Sequence, residues 1–519
     1  MTLPLSPMRR LMATAALALA LGTAPLAAKE LTVALTADAV HLDPQAGEEL
    51  SSNIMFYHIY DPLVRRTAEL EFVPGLAESW ELVDDTTWHF TLREGVKFHN
   101  GAELTPRDVV FTLERLKDSL MSSLARNIES FREVDERTVE ISTFQPYAVL
   151  PNDLAGILIL NEAHVTEIGD DRVDLDPVGT GPYRLASWTK EDRLVLEAFE
   201  DYWGGDAAIS KVTFRPITNP ATRTAALITG EVDIVQDLSV RDVDRIDREP
   251  GYSVITRPSL LNLVLALDMR AQSPTIPLDV NPMQDRRVRE AIARAIDVDA
   301  IRTAIMNGLS TPSEQYVPAS HIGYLPGADF REMYPFDIER ARELMAEAGH
   351  ADGFRMTLDA TNNRYVNDQQ IAQALAQMLS QIGIDLELNL MPRANFFGYI
   401  RVPSDQSSFI MSGWDVPSGD AGSMYGAMFH TRDVREAYGR VNRGAYSNPE
   451  VDALIIEADS TAVVEERHAT LQKATEILLH DIPMIPVHYE QDIYAAHDGV
   501  LFTPRTDKFL WAFEMDIAD

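Results

Sequence analysis

The sequence predicts an α/β protein built of several layers rather than a helical bundle or an all-β sandwich. Strand-period and helix-period stretches alternate along nearly the whole chain. At 519 residues without a single cysteine, the chain is long enough for two or three domains with their own cores and needs no disulfide staples. No internal repeat or low-complexity segment interrupts this pattern.

The N-terminus comes first. Arg9-Arg10, an apolar run from Leu11 to Leu21 and the small-residue end Ala27-Ala28 have the form of a secretory signal peptide cleaved near Ala28. The run is too short to span a bilayer comfortably, and no later stretch approaches the roughly 20 apolar residues of a spanning helix. With no cysteine at the cleavage site, a lipid-anchored form is excluded, and so are a thiolate nucleophile and a thiolate metal ligand. The expected location is the periplasm; Arg9-Arg10 leaves Sec and twin-arginine export both open. A formal net charge of −35 repels nucleic acid and anionic headgroups, so neither is an expected partner.

The mature chain opens with a strand at 29–37. Trp80 and Leu82, then Trp88, Phe90 and Leu92, alternate with polar residues about a turn at Asp84-Asp85, which predicts a hairpin. Glu94-Gly95 and Asn100-Gly101 mark the next bends. Thr105-Pro106-Arg107-Asp108 is a capping box with proline at the first helical position, opening a helix that buries Val109, Leu113 and Leu116. Pro177–Tyr183 must turn sharply, and strands follow at Tyr183–Trp188 and Arg193–Ala198. A short helix at 221–230 precedes a strand at Glu231–Ile234, and Leu260–Leu267 is apolar enough for a buried strand.

A new series begins beyond the polar segment 271–285. Val288, Ile292 and Ile296 lie on one helix, followed by Ile301 and Ile305 ending at Gly308. Asp337 caps a helix running to Gly349, and Phe354, Met356 and Leu358 alternate as a strand. Ile371, Leu375, Met378 and Ile382 form a helical stripe stopped by Gly383, before a strand at Ile384–Leu390. Phe409–Met411 is a further strand. One long helix is expected from Pro449 to His480, closed off from the last strands by Pro483 and Pro486.

The stretch Leu76–Leu116, the turn Gly179-Thr180-Gly181-Pro182-Tyr183, the element Gly230–Ile234 and the run from Asp285 to Ile301 resemble family 5 extracytoplasmic solute-binding proteins, the dipeptide, oligopeptide and nickel-type receptors of ABC importers. The resemblance covers essentially the whole mature chain. It implies a two-lobed periplasmic binding protein, type II and cluster C-like, with an extra subdomain inserted in lobe one. Lobe I would comprise 29–56, 177–267 and 488–519, the inserted subdomain 57–176 and lobe II 268–487. Two crossings, near 267–271 and 486–490, would act as the hinge, and a ligand touching both lobes would shift the population to the closed form.

Candidate ligand contacts follow from that picture. Trp414 offers an indole for stacking, and Asp415 and Asp420, with Tyr425 beyond them, carboxylates for an ammonium group. Peptide-binding relatives receive the ligand α-amino group on an aspartate a few residues after this tryptophan; Pro417 stands there in this chain. Arg364, beside Tyr365 after the Phe354–Leu358 strand, is placed to fork a ligand carboxylate, and its alternative is an ion pair with Asp368. Arg393, with Asn395 and Phe396, forms a third loop. From the first lobe come Asn53 and Tyr57, with Ile54, Phe56 and Ile59 packing beneath them. His488-Tyr489 is read as hinge packing.

No G-x-S-x-G elbow, P-loop, G-x-G-x-x-G or H-E-x-x-H is present, so no enzyme chemistry is assigned. His480, His488 and His497 surround a proline break and need not converge, so no metal and no cofactor is expected. The expected function is capture of a small peptide or peptide-like solute and its delivery to an inner-membrane ABC permease with its cytoplasmic ATPase, the receptor acting as a monomer. The alternatives are a receptor of the same fold for an opine, sugar, nickel chelate or haem, a sensor module, or a secreted hydrolase.

Overall fold

A computed structural model of the chain describes residues 29–518, with 48, 402–405, 434–437 and 462 excepted. The expectations about residues 1–28 lie outside the described residues. The chain's central feature is an eleven-stranded sheet. Its strands run in the order Ile384–Met391, Phe354–Thr361, Phe409–Trp414, Tyr252–Leu267, Met484–His497, Ile234–Gln236, Glu30–Leu35, Lys211–Pro216, Arg193–Ala198 and Tyr183–Thr189. Ser310–Pro312 pairs beside the path with Met484–His497.

Two long antiparallel strands in the middle, Tyr252–Leu267 and Met484–His497, join two hydrophobic cores. One core gathers buried residues from Leu261 to Val487. The other draws on both ends of the chain, from Leu31 and Leu35 to Leu510 and Met515, with Ile255 packed against it. A third core, Leu63 to Ile159, lies under a separate four-stranded sheet ordered Ala77–Asp84, Thr87–Leu92, Thr138–Thr143 and Ile128–Glu133.

Along these two strands the change of core comes where the ladder slips. Pro258 faces Gln491 but Asn262 faces Tyr489, so Ser259-Leu260-Leu261 bulge opposite Glu490. A bulge releases ladder bonds and bends the ribbon, which suits a connection between two bodies. The bulge at Pro258–Asn262 lies opposite Tyr489–Gln491.

Most elements form where their patterns place them. Asp108 reaches back to the Thr105 N–H (3.0 Å) and hydroxyl (2.8 Å), and Val109, Leu113 and Leu116 are buried. Asp337 accepts the Arg340 N–H at the start of Ile338–Glu347. The glycines of the Gly179–Tyr183 turn are required by close approach: a Cβ at Gly179 would lie 2.0 Å from the Ile59 carbonyl oxygen, and one at Gly181 2.5 Å from that of His58.

Several local expectations are corrected. The long helix is two, Pro449–Asp459 and Val464–Asp481, because the second folds back and Arg467 donates to the Ala458 carbonyl at the end of the first. Pro486 does not end the chain's access to the sheet. It sits at a second register shift, opposite Val264, where its missing N–H leaves no ladder bond broken. Glu231 and Val232 belong to the turn, with Ile234 the first paired residue of the strand. The Leu260–Leu267 strand starts eight residues early, at Tyr252. Ile301–Ile305 is a π-turn rather than a continuation of α-helix.

Candidate functional site

The strands Phe354–Thr361 and Ile384–Met391 run parallel in register, and Phe409–Trp414 runs parallel beside them. Their C-terminal ends therefore emerge at one edge, next to Asn262 and the crossing strands. Ligands in open α/β sheets bind outside such carboxyl ends. The edge faces the other cores: Asn152 Nδ2 donates to the Ser418 carbonyl (3.1 Å), and Ala148 N–H to that of Thr461 (3.2 Å).

Trp414 is the last residue of its strand rather than part of the loop, paired with Asn262 and half-buried against the Leu261–Val487 core. Asn262 is held by the Gln315 and Tyr316 carbonyls and by Ser313, so the backbone beneath the indole is rigid. Asp415 is exposed on the following loop, as is Pro417.

Asp420 and Tyr425 are turned inward. Asp420 caps the helix Ala421–Met428 through the Gly422 N–H, and both its oxygens accept from Arg467 at 2.8 Å. Its carboxylate is therefore fully used inside the fold, which corrects its reading as a receiver of ligand ammonium. Tyr425 is buried in the core, its hydroxyl 2.7 Å from Thr475 Oγ1, and it too is corrected from ligand contact to packing.

Arg364, Tyr365 and Arg393 come together. The Arg364 guanidinium lies 5.2 Å from the Tyr365 ring centre, and the Arg393 N–H donates to Asn363 Oδ1 (2.8 Å). Both arginines are exposed. Asp368 does not pair with the Arg364 side chain but accepts the backbone N–H groups of Arg364 and Tyr365 and the Thr361 hydroxyl, holding this loop in shape. Tyr365 is buried, and it lies so close to Gly413 that a Cβ there would be 2.6 Å from the tyrosine ring. That corrects Tyr365 from a free ligand contact to a wall beneath Trp414. Phe396 is fully buried and packs in the core.

From the other side, Asn53 is half-buried on the helix Leu50–Ile59, over buried Ile54, Phe56 and Ile59. Tyr57 donates to the Ala155 carbonyl (2.7 Å) and packs on Phe509, so its hydroxyl ties two cores together instead of pointing to a ligand. At the crossing, His488 is buried with neither ring nitrogen bonded among the described residues, and burial lowers its pKa to about 4. Glu490 accepts the Val366 N–H (2.7 Å), tying the arginine loop to the strand Met484–His497, and burial raises its pKa. Asp492, raised by burial to about 6 against the pull of Lys508, is 2.6 Å from that ammonium.

Sequence reasoning missed Glu490 and Asn152. Neither sits in a periodic pattern or motif; only the folded chain brings them to this edge. His480 is beside Asp481, His497 against Tyr252 and His488 in the sheet; among the described residues no group of three or more metal-ligating side chains converges. Among those residues, too, no helix is long and apolar enough to cross a membrane.

The profile of the bacterial extracellular solute-binding proteins, family 5 Middle, matches residues 71–436, well over half of the chain. The chain belongs to family 5. Over 509 residues it is 28% identical to the glutathione-binding protein GsiB of Salmonella typhi, covering 95% of each chain. The GsiB of Pectobacterium atrosepticum is 27% identical over 492 residues, 92% of each chain. The fold is that of two-lobed periplasmic binding proteins: HbpA2 of Haemophilus parasuis superposes with a TM-score of 0.83 at 22% identity, covering 94% of this chain and all of that one. The Helicobacter pylori periplasmic protein DppA, in complex with the peptide STSA, superposes with a TM-score of 0.73 at 24% identity, over 94% and 98% of the two chains. The family 5 assignment agrees with the resemblance read from Leu76–Leu116, which lies wholly within the matched residues.

Proposed function

We propose that this family 5 protein is exported to the periplasm, closes on a small peptide or peptide-like solute and hands it to an inner-membrane ABC permease. The observation that carries this reading is the pair of bulged strands as the connection between two cores, with Trp414, Arg364 and Arg393 at the sheet edge beside it. Lobe I then lies on the side of both chain ends, the inserted subdomain around 63–159, and lobe II from Asn262 to Tyr489.

In this reading Trp414 stacks on the solute, Asp415 is the carboxylate left for a ligand ammonium, and Arg364 and Arg393 are the exposed cations of the rim. Asn53 is the contact offered from lobe I. A bulged two-strand hinge bends at low cost, so solute contacts to both sides decide the closed population. The names of the relatives, a glutathione-binding protein and a peptide-bound DppA, support a peptide-like solute.

Native mass spectrometry of the protein purified from periplasm, with fragmentation of what it releases, tests this. A released species of peptide mass is the expected result. A sugar, haem or metal chelate in its place would overturn the peptide assignment and leave the family intact.

A further inference from the structure

The carboxylate of Glu490 is only half used. Oε1 accepts the Val366 N–H at 2.7 Å, whereas Oε2 accepts no hydrogen bond and joins no ion pair among the described residues. The residue is 8% exposed, so its charge lies almost out of water. Oε2 is nevertheless not sealed, in contrast to Asp359 Oδ2, which is both enclosed and unbonded. The cations whose field Glu490 feels are held elsewhere: Lys508 Nζ is 2.6 Å from Asp492, and the exposed Arg364 guanidinium lies against the Tyr365 ring. A carboxylate so desolvated is costly until a cation meets it.

The sheet register fixes where this residue stands. Trp414, Asn262 and Tyr489 form one row across three strands, and Trp414 ends its strand, so Glu490 is the first residue beyond that row. It lies in the bulge opposite Ser259-Leu260-Leu261, where the ladder is open. One flank is the loop of Arg364 and Val366, bonded to it directly, with Val366 packed on the Leu261–Val487 core. The other flank is the Asp492–Lys508 pair. Asp492, two residues on, shares the same face of the strand, and Phe509, next to Lys508, packs on the core of the chain ends. Glu490 thus stands where the two cores meet, and Oε2 opens between the two flanks.

We propose that Glu490 receives an ammonium group of the solute on Oε2, at the floor of the cleft and on the strand that joins the two cores. This rests on the solute-binding reading above and narrows the solute to one bearing a basic nitrogen; Asp415, exposed on its loop, is left to the rim. A charge-assisted hydrogen bond shielded from water is strong, and it supplies the counter-charge that the fold leaves out. One free oxygen suits an N–H donor rather than a metal ion, and among the described residues no three metal-ligating side chains converge. A cation seated there touches the connection itself, between contacts from either side, so it favours the closed form.

Glu490→Gln keeps an acceptor for the Val366 N–H and removes the charge. Wild type and this variant are purified from periplasm and compared by native mass spectrometry; the stripped proteins are then titrated calorimetrically with the released solute and with its N-acetylated form. The expected result is an amine-bearing solute on wild type, its occupancy cut at least about tenfold in Glu490→Gln, and an N-acetylation penalty of at least about tenfold in wild type that nearly vanishes in the variant. That last comparison separates recognition of the charge from a loosened Val366 loop, which would weaken both forms of the solute alike. A released solute without a basic nitrogen, full occupancy in Glu490→Gln, or the same acetylation penalty in both proteins overturns the proposal. A peptide held equally by both proteins would sink this subsite and leave the peptide reading, whereas an amino sugar or polyamine lost from the variant would do the reverse. If wild type emerges empty, glutathione and N-acetylglutathione are the titrants. Preference for the free amine that Glu490→Gln loses supports the subsite; equal binding of the two, the same preference in the variant, or no binding of either overturns it.

Discussion

Arg467 closes on Asp420 with two hydrogen bonds of 2.8 Å, both side chains almost wholly buried, and through that grip it fixes the loop that follows Trp414. Asp420 also caps the helix Ala421–Met428, while Arg467 reaches Asp459 (3.2 Å) and the end of the preceding helix. The loop proposed to meet the solute is therefore anchored from behind by a buried charge network.

Removing one member of that network leaves the other charge buried and unpaired. Arg467→Met is expected to cost about 3–5 kcal/mol of unfolding free energy, whereas Asp420→Asn combined with Arg467→Met recovers part of the loss. Urea denaturation of the single and double variants measures this. Additive losses would mean that the two side chains do not act as a pair.

Gly179 has its own consequence. A Cβ there meets backbone, the Ile59 carbonyl oxygen at 2.0 Å, which no rotamer change relieves. Gly179→Ala should cost roughly 2–4 kcal/mol and lower the melting temperature without altering the solute released. A melting temperature equal to wild type would show that the turn can shift.

His488 predicts a pH dependence. Burial holds its folded pKa near 4, below the ordinary 6.5, so the unfolded state binds the proton first. Its contribution to stability is full above pH 6.5 and is lost as the pH falls toward 4, by at most about 3 kcal/mol. Asp492, raised to about 6, acts in the opposite sense: its stabilising term is present below its unfolded pKa near 3.8 and is lost as the pH rises through 6. Denaturation between pH 4 and 7 should show His488→Leu falling less steeply toward acid than wild type, and Asp492→Asn falling more steeply. Parallel curves for either variant would contradict the assignment.

Trp414→Ala should weaken binding of the released solute by about 1–3 kcal/mol, the range of an aromatic hot spot, measured by calorimetry on the stripped protein. The indole is only half-buried, so the loss should fall on affinity more than on folding. Unchanged affinity with a lowered melting temperature would place Trp414 in the core.

What the sequence by itself determined is the local grammar and the family. The hairpin at Trp80–Leu92, the Thr105 capping box, the strands at Phe354 and Ile384 and the Gly179–Tyr183 turn all follow from short-range rules of period, capping and chirality, which need only neighbours along the chain. The tertiary structure decided where long-range partners override those rules. The Pro449–His480 pattern broke into two helices because Arg467 returns to the Ala458 carbonyl, and Pro486 entered a strand because a register shift excused its missing N–H. The same holds for the site. Trp414, Arg364 and Arg393, proposed to line the cleft, lie where apolar strands end at one sheet edge, a placement that local patterns record. Asp420 and Tyr425 were misplaced because burial and pairing depend on residues 47 and 50 positions away, and no window along the chain records which acid an arginine has found.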